Sequence, residues 1–231
     1  MANIVLVHGA CLDSTPWNEV AERLRGQGHV VAAPDLALRT LEGDTAIVQE
    51  AVDAMGGPVV ACGWSYGGMV ITGLDLAGGS HLVYIAALLP SEGDTAYSLS
   101  NENPTRLDGL FQLDAAGDLS LDGDLAAALW ADAPAEVASS AAARSRSQAL
   151  ASLTTAPTAL AWQEHESTYA ICTNDEAVDP QLQRRFAAKA GAVVEWDSSH
   201  SPMLSMPGVV ATFISGIADR IDEDTVPHRS S

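Results

Sequence analysis

Short apolar runs that do not alternate with polar residues recur along the chain, and segments of helical period separate them. From Asn3 to Val7 the apolar residues run together, as a strand buried on both faces of a parallel sheet requires. Pro16 to Leu24 places proline in a first helical turn and Trp17, Val20, Ala21 and Leu24 on one face. A second short run, HVVAAP at 29–34, precedes a helical face made by Ile47, Val48, Ala51 and Val52 between Thr45 and Met55. Val59 to Cys62, a glycine-rich turn at 63–68, a helix to Leu76 and the run LVYIAALL from Leu82 extend the rhythm. It resumes with Tyr169 to Thr173, a helix from Pro180 to Ala190, Ala192 to Trp196, and a last helix carrying Val209, Val210, Phe213, Ile214 and Ile217. Such alternation predicts an α/β fold with a parallel sheet covered by helices on both faces.

The interval from Ser91 to Glu166 breaks that rhythm with an Asp- and Gly-containing stretch and an alanine-rich run from Leu125 to Leu153, helical in character except at Pro134. It is too short and too poor in large apolar residues to hold a core of its own. We therefore expect one core from residues 1–90 and 167–221, an inserted helical cap at 91–166, and a tail at 222–231 that frays for want of apolar anchors. A chain of 231 residues with 47% hydrophobic content suffices for one domain of this kind.

Lys and Arg total 11 against 30 Asp and Glu, a formal charge of −19 that repels nucleic-acid phosphates and anionic lipid alike. The apolar amino terminus lacks a preceding basic residue, and His8, Gly9 and Asp13 interrupt it, so it reads as a strand and not as a signal peptide or membrane span. Cys62 and Cys172 lie in apolar runs, and Cys11 lies in a loop without paired cysteine or metal-ligand spacing, which fits a reducing, cytoplasmic setting.

Gly63, Trp64, Ser65, Tyr66 and Gly67 form GxSxG between a buried strand and a helix, the setting in which that pattern presents a nucleophile. Ser65 must then adopt a strained backbone, and the flanking glycines let strand and helix pass closely enough to force it. A serine hydroxyl needs a base, and of six histidines His200 follows the last strand at the carboxyl edge where Ser65 also sits. His29 and His81 precede strands, His165 belongs to the insert or its end, His228 is in the tail, and His8 is expected to shape a loop. Asp175, directly after the strand TYAICT, completes the order serine, acid, histidine. Glu176 and Asp179 share its loop, and Asp197 is expected to cap a turn in its own segment. Two backbone donors for an oxyanion are expected at Tyr66, after the nucleophile, and at Ala10, in the small-residue loop after the first strand.

These segments carry a resemblance. With VLVHGAC at 5–11, GHVVAAPDL at 28–36, GWSYGGMV at 63–70, CTNDEAVDPQLQRR at 172–185 and SSHSPML at 198–204, the chain resembles the plant methylesterase and hydroxynitrile lyase family and its bacterial carboxylesterase relatives. The similarity spans nearly the whole chain and is weakest over the cap, where LWADAPAEVA at 129–138 remains similar. It implies an α/β-hydrolase fold with a small helical cap, no metal or cofactor, a triad of Ser65, Asp175 and His200, and oxyanion donors at Ala10 and Tyr66. Two departures stand out: Ser201 occupies the place of the lysine that follows the histidine in the lyases, and Trp64 stands where many relatives have histidine. The first lowers the prospect of cyanide-releasing chemistry.

The function expected is therefore hydrolysis of a small to medium, uncharged carboxylic ester through an acyl-enzyme on Ser65. A non-catalytic receptor for a small ligand, or a cofactor-free lyase or perhydrolase with the same triad, are the competing readings. Leu12, Leu89, Trp130, Trp162, Met203 and Leu204 are candidates for the substrate pocket, each equally suited to ordinary core. The partner expected is a small-molecule ester; oligomeric state is not legible in the sequence.

Overall fold

The computed structural model describes residues 1–102, 111–121 and 127–225. The apolar runs form β1 (Asn3–Val7), β2 (Val30–Ala32), β3 (Val59–Trp64) and β4 (His81–Ile85), and, after the insert, strands at Glu166–Cys172 and Ala192–Trp196. Between them run α1 (Asn18–Gly26), α2 (Leu41–Met55) and α3 (Gly67–Thr72). Every pairing in this six-stranded sheet is parallel, and the order places β1 between β2 and β3, followed by β4 and the two late strands. The chain thus reverses its direction of travel across the sheet at β1 and β3, and loops leaving the carboxyl ends of two such strands enclose a crevice.

Alternate strand residues feed two separate cores. Val5, Val7, Ala61, Leu82, Tyr84, Tyr169 and Ile171 pack with α2 and α3 on one face. Ile4, Leu6, Val60, Cys62, Val83, Ile85 and Ala170 pack on the other against Val20 and Leu24 of α1 and Val210, Ile214 and Ile217 of the last helix. Burial on both faces is why these strands read as unbroken apolar runs.

The insert differs from the helical cap expected of it. Within its described part, α4 (Ala96–Asn101) leads to a three-stranded antiparallel sheet made of β5 (Phe111–Leu113), β6 (Asp118–Leu121) and β7 (Gln148–Ala149). The turn between β5 and β6 is built by Asp114, whose carboxylate accepts from the amides of Ala116 and Asp118, and by Gly117 at φ +83°. Among the described residues of the alanine-rich run, helix is confined to α5 (Ala135–Ala142), opened by Pro134, to α6 (Leu150–Leu153) and to a 3-10 turn at Ala127–Trp130. Arg146 to Ala149 stays extended because Arg146 N–H donates to Cys11 O and Ala149 N–H to Leu38 O, both at 2.8 Å, so pairing with core loops overrides alanine's helical preference. Residues 103–110 and 122–126 of this interval lie outside the described residues.

After the insert come β8 (Glu166–Cys172), α7 (Pro180–Ala187), β9 (Ala192–Trp196), α8 (Pro202–Ser205) and α9 (Pro207–Thr225). The last helix continues to Thr225, past the point where the tail was expected to fray; residues 226–231, with His228, lie outside the described residues. The helix expected to reach Leu76 stops at Thr72, and the apolar run after Leu82 leaves the sheet at Ile85 because Ala86 turns at φ +44°. No described helix is long and apolar enough to cross a membrane.

His8 shapes the first loop as expected. It is fully buried, with Nδ1–H donating to Gly9 O at 2.8 Å and Nε2 accepting from Leu36 N–H at 3.0 Å, so its hydrogen bonds fix the neutral tautomer. Burial lowers its pKa from 6.5 to about 4. A folded-state pKa below the unfolded one means that protons bind preferentially to the unfolded chain. The stability His8 contributes is therefore complete above pH 6.5 and is lost as the pH falls through about 4. Thermal melts between pH 7 and pH 4 should show a falling Tm, and His8→Gln should have a lower Tm at pH 7 but a shallower fall across that window.

Candidate active site

β3 delivers Ser65 to the carboxyl edge of the sheet, where it stands at φ +54°. Its N–H donates to Ile85 O at 3.3 Å, and its carbonyl accepts from Gly68 N–H at 3.0 Å and Leu88 N–H at 3.1 Å. The left-handed conformation costs a non-glycine residue about 1–2 kcal/mol, and the surrounding backbone leaves no alternative. A Cβ at Gly67 would lie 2.5 Å from Val7 O, and one at Gly63 would lie 2.6 Å from Gly67 O. The other positive-φ non-glycine residues described, Cys11, Leu38 and Ala86, follow β1, β2 and β4, so backbone strain is gathered along this one edge.

His200 lies in the loop between β9 and α8, and its Nδ1 is 2.7 Å from Asp175 Oδ2. Both side chains are almost wholly buried. Asp175 follows β8, and its Oδ1 accepts from Ala177 N–H at 2.7 Å and Val178 N–H at 2.9 Å. Of the neighbouring acids, Asp179 caps α7 through Gln181 N–H, and Asp197 does not cap its own turn but accepts from Asn174 Nδ2 at 2.6 Å. His29 is bonded to Ser215 and His81 to Thr168, both at the opposite edge.

Of the residues that support this pair, Gln183 and Asp132 were not singled out from the sequence, whereas Trp64 was noted there only as a departure from the family pattern. Gln183 of α7 is fully buried; its Nε2 donates to Asp175 Oδ2 at 2.7 Å, and its Oε1 accepts from Cys172 N–H at 2.9 Å. Trp64 donates from Nε1 to His200 O at 2.8 Å and sets its ring 5.5 Å from the imidazole, so the residue standing in place of histidine buttresses the loop. Asp132 reaches over from the insert to accept from the Ser199 N–H and hydroxyl. Burial would raise the Asp132 pKa, but those bonds outweigh it and hold the carboxyl below its usual range.

On the other side of Ser65, Ala10 and Tyr66 border the same cavity as Ser65 and His200. The Tyr66 hydroxyl donates to Asp44 Oδ2 at 2.9 Å, and the other oxygen of that buried carboxylate accepts from Leu38 N–H at 2.8 Å. Burial raises the pKa of both Tyr66 and Asp44, in the second case despite these bonds. Gln148, fully buried in the insert, accepts from Cys11 N–H at 2.8 Å and donates to Ser152 Oγ at 2.8 Å. Cys11 itself is buried, with its thiol pushed up to about 12, so it offers no reactive thiolate.

The cavity has a volume of about 610 Å³, and among the described residues that line it there is no Lys, Arg, Asp or Glu. Of the six apolar residues proposed for it from the sequence, only Leu12 lines it. Leu89 is buried in one core, and its neighbour Leu88 faces the cavity instead. Trp130 and Met203 fill the core across the sheet, with Leu204 half-buried against it. Trp162 is held outside by donation to Pro90 O at 2.9 Å and lies 6.0 Å from Lys189 Nζ. The walls come instead from Tyr97, Leu113, Leu119, Leu121, Leu129, Leu150, Leu153 and Val178. Alternation of leucine at 119 and 121 was the available signal for part of this set.

Residues 4–213 match the Alpha/beta hydrolase family, and the chain belongs to it. Over 114 residues it is 36% identical to the carbendazim hydrolyzing esterase of Nocardioides sp. (strain SG-4G), a match spanning 43% of this chain and 47% of that esterase. Among solved structures it is similar to a pyrethroid hydrolase from Sphingobium faniae JZ-2, with TM-score 0.83 and 24% identity over 96% of this chain and 99% of the other. Polyneuridine aldehyde esterase gives TM-score 0.82 at 22% identity, covering 95% of this chain and all of the other. The likeness to these two extends to the fold.

Two substitutions test the geometry. Gly67→Ala should destabilise the protein by about 2–3 kcal/mol in urea unfolding, because the new methyl meets backbone that cannot yield. Gln183→Leu leaves the buried Cys172 amide without its acceptor and removes one of the donors to Asp175 Oδ2. It should cost about 1–3 kcal/mol of stability and, with His200 less firmly oriented, lower kcat about tenfold with KM little changed.

Proposed function

We propose that this protein hydrolyses uncharged carboxylic esters by nucleophilic catalysis at Ser65. The observation that carries the reading is the sharing of one cavity by a left-handed serine and by a histidine whose far nitrogen is held by a buried carboxylate. With Nδ1–H committed to Asp175, the Nε2 of His200 is the acceptor and takes the hydroxyl proton as Ser65 Oγ attacks the ester carbonyl. The carbonyl π electrons pass to oxygen, and the Ala10 and Tyr66 N–H groups hold the resulting anion. Collapse expels the alkoxide, which leaves with the proton from His200, and the acyl group remains on Ser65. Water then attacks that acyl group, gives its proton to His200, and releases the acid as Ser65 regains its hydrogen. In this reading residues 91–166 act as a cap over the core formed by residues 1–90 and 167–221.

Two facts support an ester as substrate and an uncharged one in particular. The similar proteins include a carbendazim hydrolyzing esterase and a pyrethroid hydrolase. Among the described residues the cavity wall offers no charged partner for an ionised substrate. A formal charge of −19 further disfavours anions at a distance, nucleic acid included.

Ser65→Ala should lower the hydrolysis of p-nitrophenyl butyrate by about 1,000-fold or more while leaving the thermal melt near that of the wild type. A serine-directed phosphonate should label the wild type and not the variant. Equal turnover by both proteins removes Ser65 from the mechanism, and an unlabelled, inactive wild type that is still stabilised by an apolar ligand makes the protein a receptor.

A further inference from the structure

We infer that the β5–β6 hairpin forms a subsite for an extended apolar group of the ester, an alkyl chain or ring system reaching from the scissile bond out to the cavity mouth. The inference rests on the reading of Ser65 given above and adds the class of substrate to it. Leu113 stands directly opposite Leu119 in the antiparallel register, and Leu121 lies two residues further along the same strand. Residues so related share one face of a hairpin. All three leucines line the cavity, while the intervening Ser120 bonds Gln112 O from the other face. One side of the hairpin is thus a leucine surface turned toward the same space as Ser65.

That surface is incompletely covered. Leu113 is 62% exposed, and two further large apolar residues of the cavity wall, Tyr97 at 57% and Leu150 at 37%, stand uncovered beside it. They come from three separate elements, α4, β5 and α6, yet line one cavity. In a chain with 30 acidic residues and a polar exterior, such a cluster retains apolar contact area with water where polar side chains would be tolerated equally well by the fold. Its continuity with the cavity identifies the occupant as the distal part of whatever Ser65 attacks, and a wall whose described residues carry no charge favours a neutral group there. Burying it transfers apolar surface from water on both partners, by about a factor of three to four in affinity for each methylene covered.

The test is a chain-length series of p-nitrophenyl esters from acetate to decanoate, each below its micelle concentration. The wild type should show kcat/KM rising at least tenfold from acetate to the longer chains, and Leu113→Asp and Leu119→Asp should each bring that ratio close to one. Val193→Asp, an exposed apolar residue on β9 away from the cavity, should keep the wild-type ratio. Melting curves establish that each variant is folded, and Tyr97→Ser replaces any that is not, with the same flattening expected. A wild type that prefers acetate overturns the subsite, as does an undiminished ratio in the folded variants. So does Leu113→Asp converting a dimer into a monomer in size exclusion with no change in ratio, which makes the face a contact between two copies. In each of these outcomes loss of acetate turnover in Ser65→Ala leaves the nucleophile in place, whereas retained turnover there removes the nucleophile itself.

Discussion

The left-handed backbone at Ser65 is the constraint from which the rest of the site follows. A serine at φ +54° is held there only because Gly63 and Gly67 let β3, α3 and the end of β1 come within a carbonyl's reach of one another. The Ser65 carbonyl is then pinned by Gly68 and Leu88 amides, which fixes the loop after β4 to the same point. Three loops are thereby drawn to one edge, and the parallel order of the sheet brings the loops of Asp175 and His200 to it as well. Strain at one residue is balanced by contacts made on every side of it.

The insert belongs to this arrangement more fully than a detachable lid would. Asp132 holds the Ser199 amide beside His200, and Gln148 holds the Cys11 amide beside Ala10. Two arms of the insert therefore bond to the two loops that flank Ser65. Gln148 and Ser152 are fully buried, so loss of either partner leaves a polar group without compensation in a dry setting.

The sheet, the turn at Ser65 and the His200–Asp175 pair were legible because each depends on local chemistry: unbroken apolar runs, glycines at fixed offsets, and loops following strands. The insert was not. Its alanine-rich run has helical propensity except at Pro134, yet Arg146 to Ala149 pairs with Cys11 and Leu38, partners more than a hundred residues away that no local pattern announces. Gln183 and Asp132 escaped for another reason: their importance comes from what they touch, Asp175 and Cys172 in one case and Ser199 in the other. The pocket residues were misplaced for a related reason. Leu89, Trp130 and Met203 are large and apolar, as a pocket wall would be, but only the fold decides which large apolar residues meet other protein atoms and which are left facing a void.

The leucine side chains of the β5–β6 hairpin have a different standing from the residues that bond to the loops. Leu113, Leu119 and Leu121 contribute no side-chain hydrogen bond, so replacing them with other apolar residues of different bulk breaks none of the connections that orient Ser65 or His200. On the function and subsite proposed above, such a protein separates what it recognises from what it does. New preferences can arise by resculpting one small hairpin, while the reacting groups keep their alignment.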